Sequence, residues 1–138
     1  MNPNPSPNGG RRKQNHTASK RLGRDGEQLA ARFLEVKGMS IIHRNWRSRY
    51  NRHEIDLIAL DGPCLVFVEV KSARSASFGD PVSWVTPRKQ HSIAQAARDF
   101  LAGWPGKDFD VRFDVVVVGP PEKGGRLPVR HIPQAFIP

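Results

Sequence analysis

The sequence is poor in the residues that build disulfide-bonded, zinc-binding or membrane-spanning proteins. Among 138 residues there is one cysteine, Cys64, which can form neither a disulfide within the chain nor a thiolate zinc site. The five histidines stand too far apart for a ligand pair at helical spacing. No apolar run is longer than five residues, against about 20 for a membrane-spanning helix, and no signal-peptide-like segment opens the chain. These absences predict a cytoplasmic protein without zinc and without contact with a membrane.

Acidic residues are missing from the first 24 positions, which hold six basic residues. The whole chain has 22 lysines and arginines against 13 aspartates and glutamates, and a formal charge of +9. Most of the remaining residues in this basic segment are proline, glycine, asparagine or serine, which bury too little apolar surface to offset the entropy of ordering. We therefore expect residues 1–18 to be a disordered basic arm and residues 19–138 to form one domain. The arm suits either contact with nucleic-acid phosphates or a solubilising role.

Two segments have helical periodicity. Small and apolar residues recur at spacings of three and four from Ser19 to Val36, and Gly38 follows as a typical helix stop. Thr86-Pro87 is a typical helix start, and the apolar positions after it predict a second helix over about 87–103.

Strands account for most of the rest. Met39–Trp46, Glu54–Leu60 and Leu65–Lys71 follow one another with short connections, which predicts an antiparallel meander. Val111–Val118 predicts a buried strand that is parallel to the third, because a helix connects the two. The resulting order is αβββαβ, and residues 127–138 have no assignment beyond a short edge strand.

The third strand is apolar on both faces at first, but it ends in two charged residues, Glu69 and Lys71. Burying such charges costs several kcal/mol unless they are paired or bind a metal. A four-residue turn would place Asp56 opposite Glu69 and Glu54 opposite Lys71. Two facing carboxylates suit Mg²⁺ or Mn²⁺. The alternative is an exposed sheet end with a Glu54–Lys71 ion pair and two solvated acids.

These charged residues belong to a longer series of motifs that runs, in order, over about residues 20–118. The main motifs are Gly26-Glu27, Arg44-Asn45-Trp46-Arg47, Glu54-Ile-Asp-Leu-Ile58, Val66-Phe-Val-Glu-Val-Lys71 and Arg112-Phe-Asp-Val-Val116. The series resembles the YraN family of endonucleases and, more broadly, the metal-dependent nuclease superfamily named for its PD-(D/E)xK motif. Ile55 stands where that superfamily commonly has proline.

The resemblance implies an α/β fold with a restriction-endonuclease-like αβββαβ core, a mixed sheet flanked by helices. It implies an endonuclease that hydrolyses phosphodiester bonds in DNA with Mg²⁺ or Mn²⁺. Branched or structured DNA is a candidate substrate, in the manner of Holliday-junction resolvases, and RNA stays open. The alternative is a non-catalytic nucleic-acid-binding module that retains the fold, although the set of Asp56, Glu69 and Lys71 is intact.

The resemblance also implies roles for single residues. Asp56 and Glu69 would bind the metal with the backbone carbonyl of Val70, and Lys71 would position or help deprotonate the attacking water. Glu27 would be the acid of the first helix, although a first-turn acid that the helix N-terminus stabilises is the alternative.

Further basic and polar residues are candidates for contact with nucleic acid, each with a solvated surface role as its alternative. Lys89 and Gln90, early in the second helix, could contact a phosphate or the attacking water. Four arginines around the first hairpin could clamp a backbone: Arg44, Arg47, Arg49 and Arg52. Trp46 and Trp84 suit base stacking, the core or a dimer contact, so a homodimer also stays open.

Overall fold

The structure is a computed structural model that describes residues 25–73, 85–106 and 109–138. Helix α1 covers residues 25–36 of this part. The other elements are β1 Ser40–Arg47, β2 Glu54–Asp61, β3 Cys64–Ser72, α2 Pro87–Ala102, β4 Asp110–Val118 and β5 Val129–Ile132. The predicted αβββαβ order is confirmed, with β5 added after it. The basic arm, Trp84 and the predicted helix start at Ser19 lie outside the described residues.

The five strands form one mixed sheet in the order β1-β2-β3-β4-β5. The β3–β4 pair is parallel and the other three pairs are antiparallel. Helix α1 packs on one face, where Leu34 meets Val66 and Val68 in one apolar cluster. Helix α2 packs on the other face, where Phe100 meets Phe67. This α/β architecture is consistent with the restriction-endonuclease-like core that the sequence predicts, and β3 is the interior strand.

The helix ends and close approaches follow from local sequence. Gly38, with φ of +99°, follows the end of α1 in a conformation that favours glycine. At Gly26 a Cβ would lie only 2.8 Å from the Ser72 hydroxyl oxygen, so a glycine there lets α1 approach the end of β3. Thr86 caps α2 by accepting a hydrogen bond from the Lys89 amide at 3.2 Å, as its sequence predicts.

Both helices are short. Helix α2 has 16 residues, and α1 is shorter over the part that the structure describes. Within residues 25–73, 85–106 and 109–138, no helix therefore has the length and apolar character needed to cross a membrane.

The register between β2 and β3 agrees with the predicted turn from Asp61–Cys64 as far as Leu57–Val68. Beyond that point the strand pairing ends. The predicted Glu54–Lys71 ion pair is wrong. Glu54 instead pairs with Arg47, its direct cross-strand neighbour on β1, where two opposite charges face each other.

Asp114 on β4 is completely buried and fully paired. Arg112 donates to both of its carboxylate oxygens, at 2.8 and 3.0 Å, and Nε2 of His131 lies 2.7 Å from Oδ2. The amide of Gln134 donates to Oδ1 at 2.9 Å. Because residues 131 and 134 belong to the segment around β5, this carboxylate fastens that edge strand and the turn after it to the sheet.

Candidate functional site

Asp56 and Glu69 meet where the β2–β3 pairing ends. Asp56 does not continue the ladder; its Oδ2 accepts a hydrogen bond from the Val70 amide at 2.8 Å. Asp56 lies close enough to Glu69 for its negative charge to act on the Glu69 carboxyl group. The Glu69 side chain is only 5% exposed, and Asp56 is half-buried.

Both carboxyl groups resist ionisation in this setting. Burial raises the pKa of Asp56, against the lowering effects of the Val70 amide and of Lys89 and Lys71. Burial, together with the charge of Asp56, raises the pKa of Glu69 from 4.5 to about 7. Two adjacent acids with raised pKa values are typical of functional carboxylate pairs, because a bound cation would favour the charged form of both.

Two lysines face the pair from different elements. Nζ of Lys71, on β3, lies 3.3 Å from Oε1 of Glu69. Nζ of Lys89, in the first turn of α2, lies 3.8 Å from the same oxygen. That turn contains no acidic residue, so the helix N-terminus and both ammonium groups make the surroundings of the carboxylates positive.

Glu27 reaches the same region from α1. Burial raises its pKa, the charge of Asp56 raises it further, and a hydrogen bond from the Asn45 side chain opposes the rise. The structure therefore brings Glu27 close to Asp56. It also adds Asn45, to which the sequence assigns no role beyond its place in a motif.

Asn45 lies on β1 between the pairs Arg44–Leu57 and Trp46–Ile55, across from Asp56. Its φ is +50°, a left-handed conformation that asparagine tolerates better than most residues. An asparagine inside an otherwise apolar and basic strand is the sequence signal that could have marked it.

The remaining predicted contacts do not all converge on the acids. The Gln90 side-chain amide donates to the Val85 carbonyl at 3.0 Å, next to the cap of α2. Arg44 pairs with Glu35 of α1 at 3.6 Å, and Arg47 pairs with Glu54. Arg49 and Arg52 are exposed on the loop that follows β1. The Val70 N–H donates to Asp56. The role of the Val70 carbonyl as a metal ligand stays a prediction.

The donor set limits which ions the site could take. Among the described residues, no group of three or more His, Cys, Asp or Glu side chains is arranged to hold a metal. Asp56 and Glu69 are nevertheless two adjacent hard oxygen donors. Mg²⁺ is typically held by one or two carboxylates, and waters and substrate phosphates complete its shell. The pair therefore fits Mg²⁺ or Mn²⁺ better than a metal that needs an all-protein cage.

Comparison with known proteins identifies the family. A sequence model of "Uncharacterised protein family UPF0102" matches residues 26–118, more than half of the chain. The chain belongs to this family. It is also the YraN family, so the resemblance read from the motifs is confirmed. The matched segment contains Glu27, Asp56, Glu69 and Lys71, and it ends at the last residue of β4.

Individual UPF0102 relatives are similar over most of the chain. A UPF0102 protein of Chlorobium phaeobacteroides (strain BS1) is 45% identical over 120 residues, which cover 84% of this chain and 94% of the relative. One from Rhodococcus opacus (strain B4) is 46% identical over 117 residues, covering 83% and 95%. One from Anaeromyxobacter dehalogenans (strain 2CP-C) is 44% identical over 115 residues, covering 83% of each chain.

Proposed function

We propose that this protein is a nuclease that hydrolyses phosphodiester bonds in DNA with Mg²⁺ or Mn²⁺. The observation that carries the proposal is the adjacent pair of Asp56, which is half-buried, and Glu69, which is buried. Placing two carboxylates together away from water is costly unless a cation lies between them. The raised pKa of both residues expresses that cost.

Each group around the pair has a role in such a reaction. Asp56 and Glu69 would hold the metal, which when bound would polarise the phosphoryl oxygen and lower the pKa of a bound water. Lys71, beside Glu69, offers N–H donors that can orient the attacking water and offset charge developing on the phosphate. Lys89 can attract the phosphate from the start of α2. Glu27, held by Asn45, adds a further carboxylate beside Asp56.

A non-catalytic nucleic-acid-binding module is the second candidate, and one observation favours it. Lys71 and Lys89 both lie within ion-pair distance of Glu69 and supply positive charge without a metal. In that case the acids would be structural, and the basic residues would supply affinity for the nucleic-acid backbone. The two candidates differ in whether loss of Asp56 abolishes an activity or only changes stability.

A cleavage assay separates these candidates. Linear duplex, single-stranded, flap and four-way-branched DNA would each be incubated with the full chain and Mg²⁺ or Mn²⁺. Asp56→Asn keeps the shape of the side chain and should lower cleavage at least about a hundredfold. Asp110→Asn is the matched control, because Asp110 is an exposed acid at the opposite end of β3 and β4, where it pairs with Cys64.

Thermal unfolding gives a second measurement that does not depend on catalysis. Mn²⁺ should raise the unfolding temperature of the protein and of Asp110→Asn, and should do so much less for Asp56→Asn, because ligand binding to the folded state stabilises it. Absence of cleavage on every substrate, together with no metal-dependent rise, would favour the binding module.

A further inference from the structure

A second candidate site lies at the C-terminal end of α2, away from the acids. An open groove of about 610 Å³ runs between β1, the loop of residues 48–53 and the end of α2. Five ring-bearing side chains line it, and we call it the aromatic groove: His43, Trp46, Tyr50, Phe100 and Trp104. Arg47, Arg49 and Asp99 also line it, with Ala102, Gly103 and Pro105 of the end of α2 and the residues after it.

The floor of the aromatic groove is a ring cluster centred on Phe100, which is 8% exposed. His43 and Trp46 meet Phe100 edge-on, each with ring centroids 5.4 Å apart. Trp104 lies 5.5 Å from it at an interplanar angle of 30°. Trp46 and Trp104 are only half-buried, so the cluster is incomplete on the solvent side.

Tyr50 also lines the groove, with 85% of its surface exposed. Its loop is nevertheless well held. Ser48, only 2% exposed, donates its hydroxyl to Asp99 of α2, and Asn51 donates to the same carboxylate at 3.0 Å. The Tyr50 amide donates to the Ser48 hydroxyl at 3.2 Å. A ring whose backbone is held in position and which packs on little of its own chain is suited to stack on a ligand.

The charge of the groove indicates what that ligand is. Arg49 is exposed beside the rings and Arg52 is exposed on the same loop, and Arg47, also exposed there, pairs with Glu54. Aromatic faces combined with a basic groove are the arrangement that binds single-stranded nucleic acid, where bases stack and phosphates meet arginines. Asp99 adds one negative charge to the lining, and its Oδ2 is occupied as the acceptor for Ser48 and Asn51.

The aromatic groove also lies within reach of Asp56 and Glu69. Trp46 pairs across the sheet with Ile55, the residue before Asp56. Along α2, Lys89 lies beside Glu69 and Phe100 lies at the groove, a distance of about 16 Å on a helix rising about 1.5 Å per residue. One nucleic-acid strand could thus meet both places within a few nucleotides.

We propose that the aromatic groove binds an unpaired nucleobase of single-stranded DNA or RNA, stacked on Tyr50 and Trp104. A base inside a duplex is already stacked and cannot enter the groove. The corollary is that substrates carry unpaired nucleotides near the cleaved bond; it rests on the proposed nuclease function, whereas the binding itself does not.

Binding is tested without metal, in chelator, by fluorescence anisotropy of labelled oligothymidylate, oligouridylate and a duplex of equal length. Tyr50→Ala should weaken binding to the single strands about tenfold, the usual effect of losing one stacking ring, and binding to the duplex by less than about twofold. Tyr50→Phe should bind as the parent does. A stronger loss with oligothymidylate or with oligouridylate identifies which nucleic acid the groove prefers.

Two controls separate stacking from charge and from surface exposure. Arg49→Ala should weaken binding to single strands and duplex alike, because a phosphate contact does not read base pairing. Val36→Ala removes another exposed apolar side chain, 88% exposed on α1, and should change nothing.

The proposal is overturned if Tyr50→Ala leaves single-strand binding unchanged or weakens single strands and duplex equally. It is also overturned if Tyr50→Ala instead dissociates a dimer in sedimentation, because the groove would then be a subunit contact. Tyr50-dependent binding by a protein that cleaves nothing would sustain this inference while the proposed nuclease function fails. If the protein cleaves nucleic acid but its binding does not depend on Tyr50, the nuclease function holds and this inference fails.

Discussion

Two buried carboxylates on neighbouring strands, Asp114 and Glu69, have opposite electrostatics. Asp114 lies on the α1 face of β4 and receives hydrogen bonds from Arg112, from His131 and from the Gln134 amide. Burial acts to raise its pKa, but these hydrogen bonds outweigh burial and the net shift is downward. Glu69 has a second acid beside it and two lysines at 3.3 and 3.8 Å, and its pKa rises to about 7.

The contrast shows that burial of an acid does not by itself mark a functional site. Asp114 is more deeply buried than Glu69, yet its partners are complete and belong to the protein. At Glu69 the partners leave the charged form unfavourable, so binding of an external cation could lower the free energy of the folded protein. The first arrangement holds an edge strand in place, and the second is suited to chemistry.

The largest effect expected from this comparison concerns the lysines of the two regions. On the proposed nuclease function, Lys71→Ala should lower the single-turnover cleavage rate by about 10²–10⁴-fold with little change in binding, because its ammonium would act chiefly in the transition state. Lys37, whose Nζ lies 3.0 Å from Nδ1 of His131 near Asp114, is the matched control. Rates measured at saturating enzyme distinguish the two. If Lys71→Ala cleaves at the parent rate, Lys71 is only an ion-pair partner of Glu69.

The free energy of unfolding should depend strongly on Asp114 and little on Glu69. Asp114→Asn should lower the free energy of unfolding by about 3–5 kcal/mol, because it leaves Arg112 and His131 beside an uncharged amide. Glu69→Gln at pH 8 should leave that free energy unchanged or raise it, because it removes an unfavourable buried charge. Urea denaturation of both variants in chelator measures the difference. Equal destabilisation would mean that both acids are structural.

The pH dependence of stability should reveal the Glu69 shift with a definite sign. Between pH 4.5 and about 7 the folded protein keeps a proton on Glu69 that the unfolded chain has released. The free energy of unfolding should therefore fall as pH rises through this window, by at most about 3 kcal/mol. Urea denaturation across the window, without metal, measures the slope, and Glu69→Gln should reduce it.

Asp114 contributes with the opposite sign and in a different window. Its pKa is lowered from 3.8, so the stability it supplies is present above that value and decreases as pH falls through the lower folded value. A wild-type profile that stays flat from pH 4.5 to 7 would contradict the difference between the two carboxylates.

The smallest effect concerns the basic arm, which should act on association and leave both carboxylate regions unchanged. Deleting residues 1–20 removes four basic residues: Arg11, Arg12, Lys13 and Lys20. It should weaken DNA binding and flatten its salt dependence by about 0.9 in log–log slope for each phosphate that the shortened chain no longer neutralises. Affinity series over salt concentration for the two chains test this. Identical slopes would assign the arm a solubilising role.

Local pattern was sufficient to predict much of this protein. Alternating apolar residues and a four-residue turn determine β2, β3 and their register from Asp61–Cys64 to Leu57–Val68, because side-chain period and turn length depend on neighbours in sequence. Thr86-Pro87 determines the start of α2 in the same way. The motifs also suffice for the family, because they recur in order along the chain.

Only the tertiary structure decided which charges meet. In sequence Asp114 and Glu69 look alike, each an acid between two apolar neighbours. The return of β5 brings His131 to Asp114, and the position of α2 brings Lys89 to Glu69. The register between β1 and β2 places Arg47 opposite Glu54, and the two form an ion pair. The packing of α1 places Glu27 close to Asp56. Such pairings join residues far apart in the chain, and a buried charge depends on all of its neighbours at once.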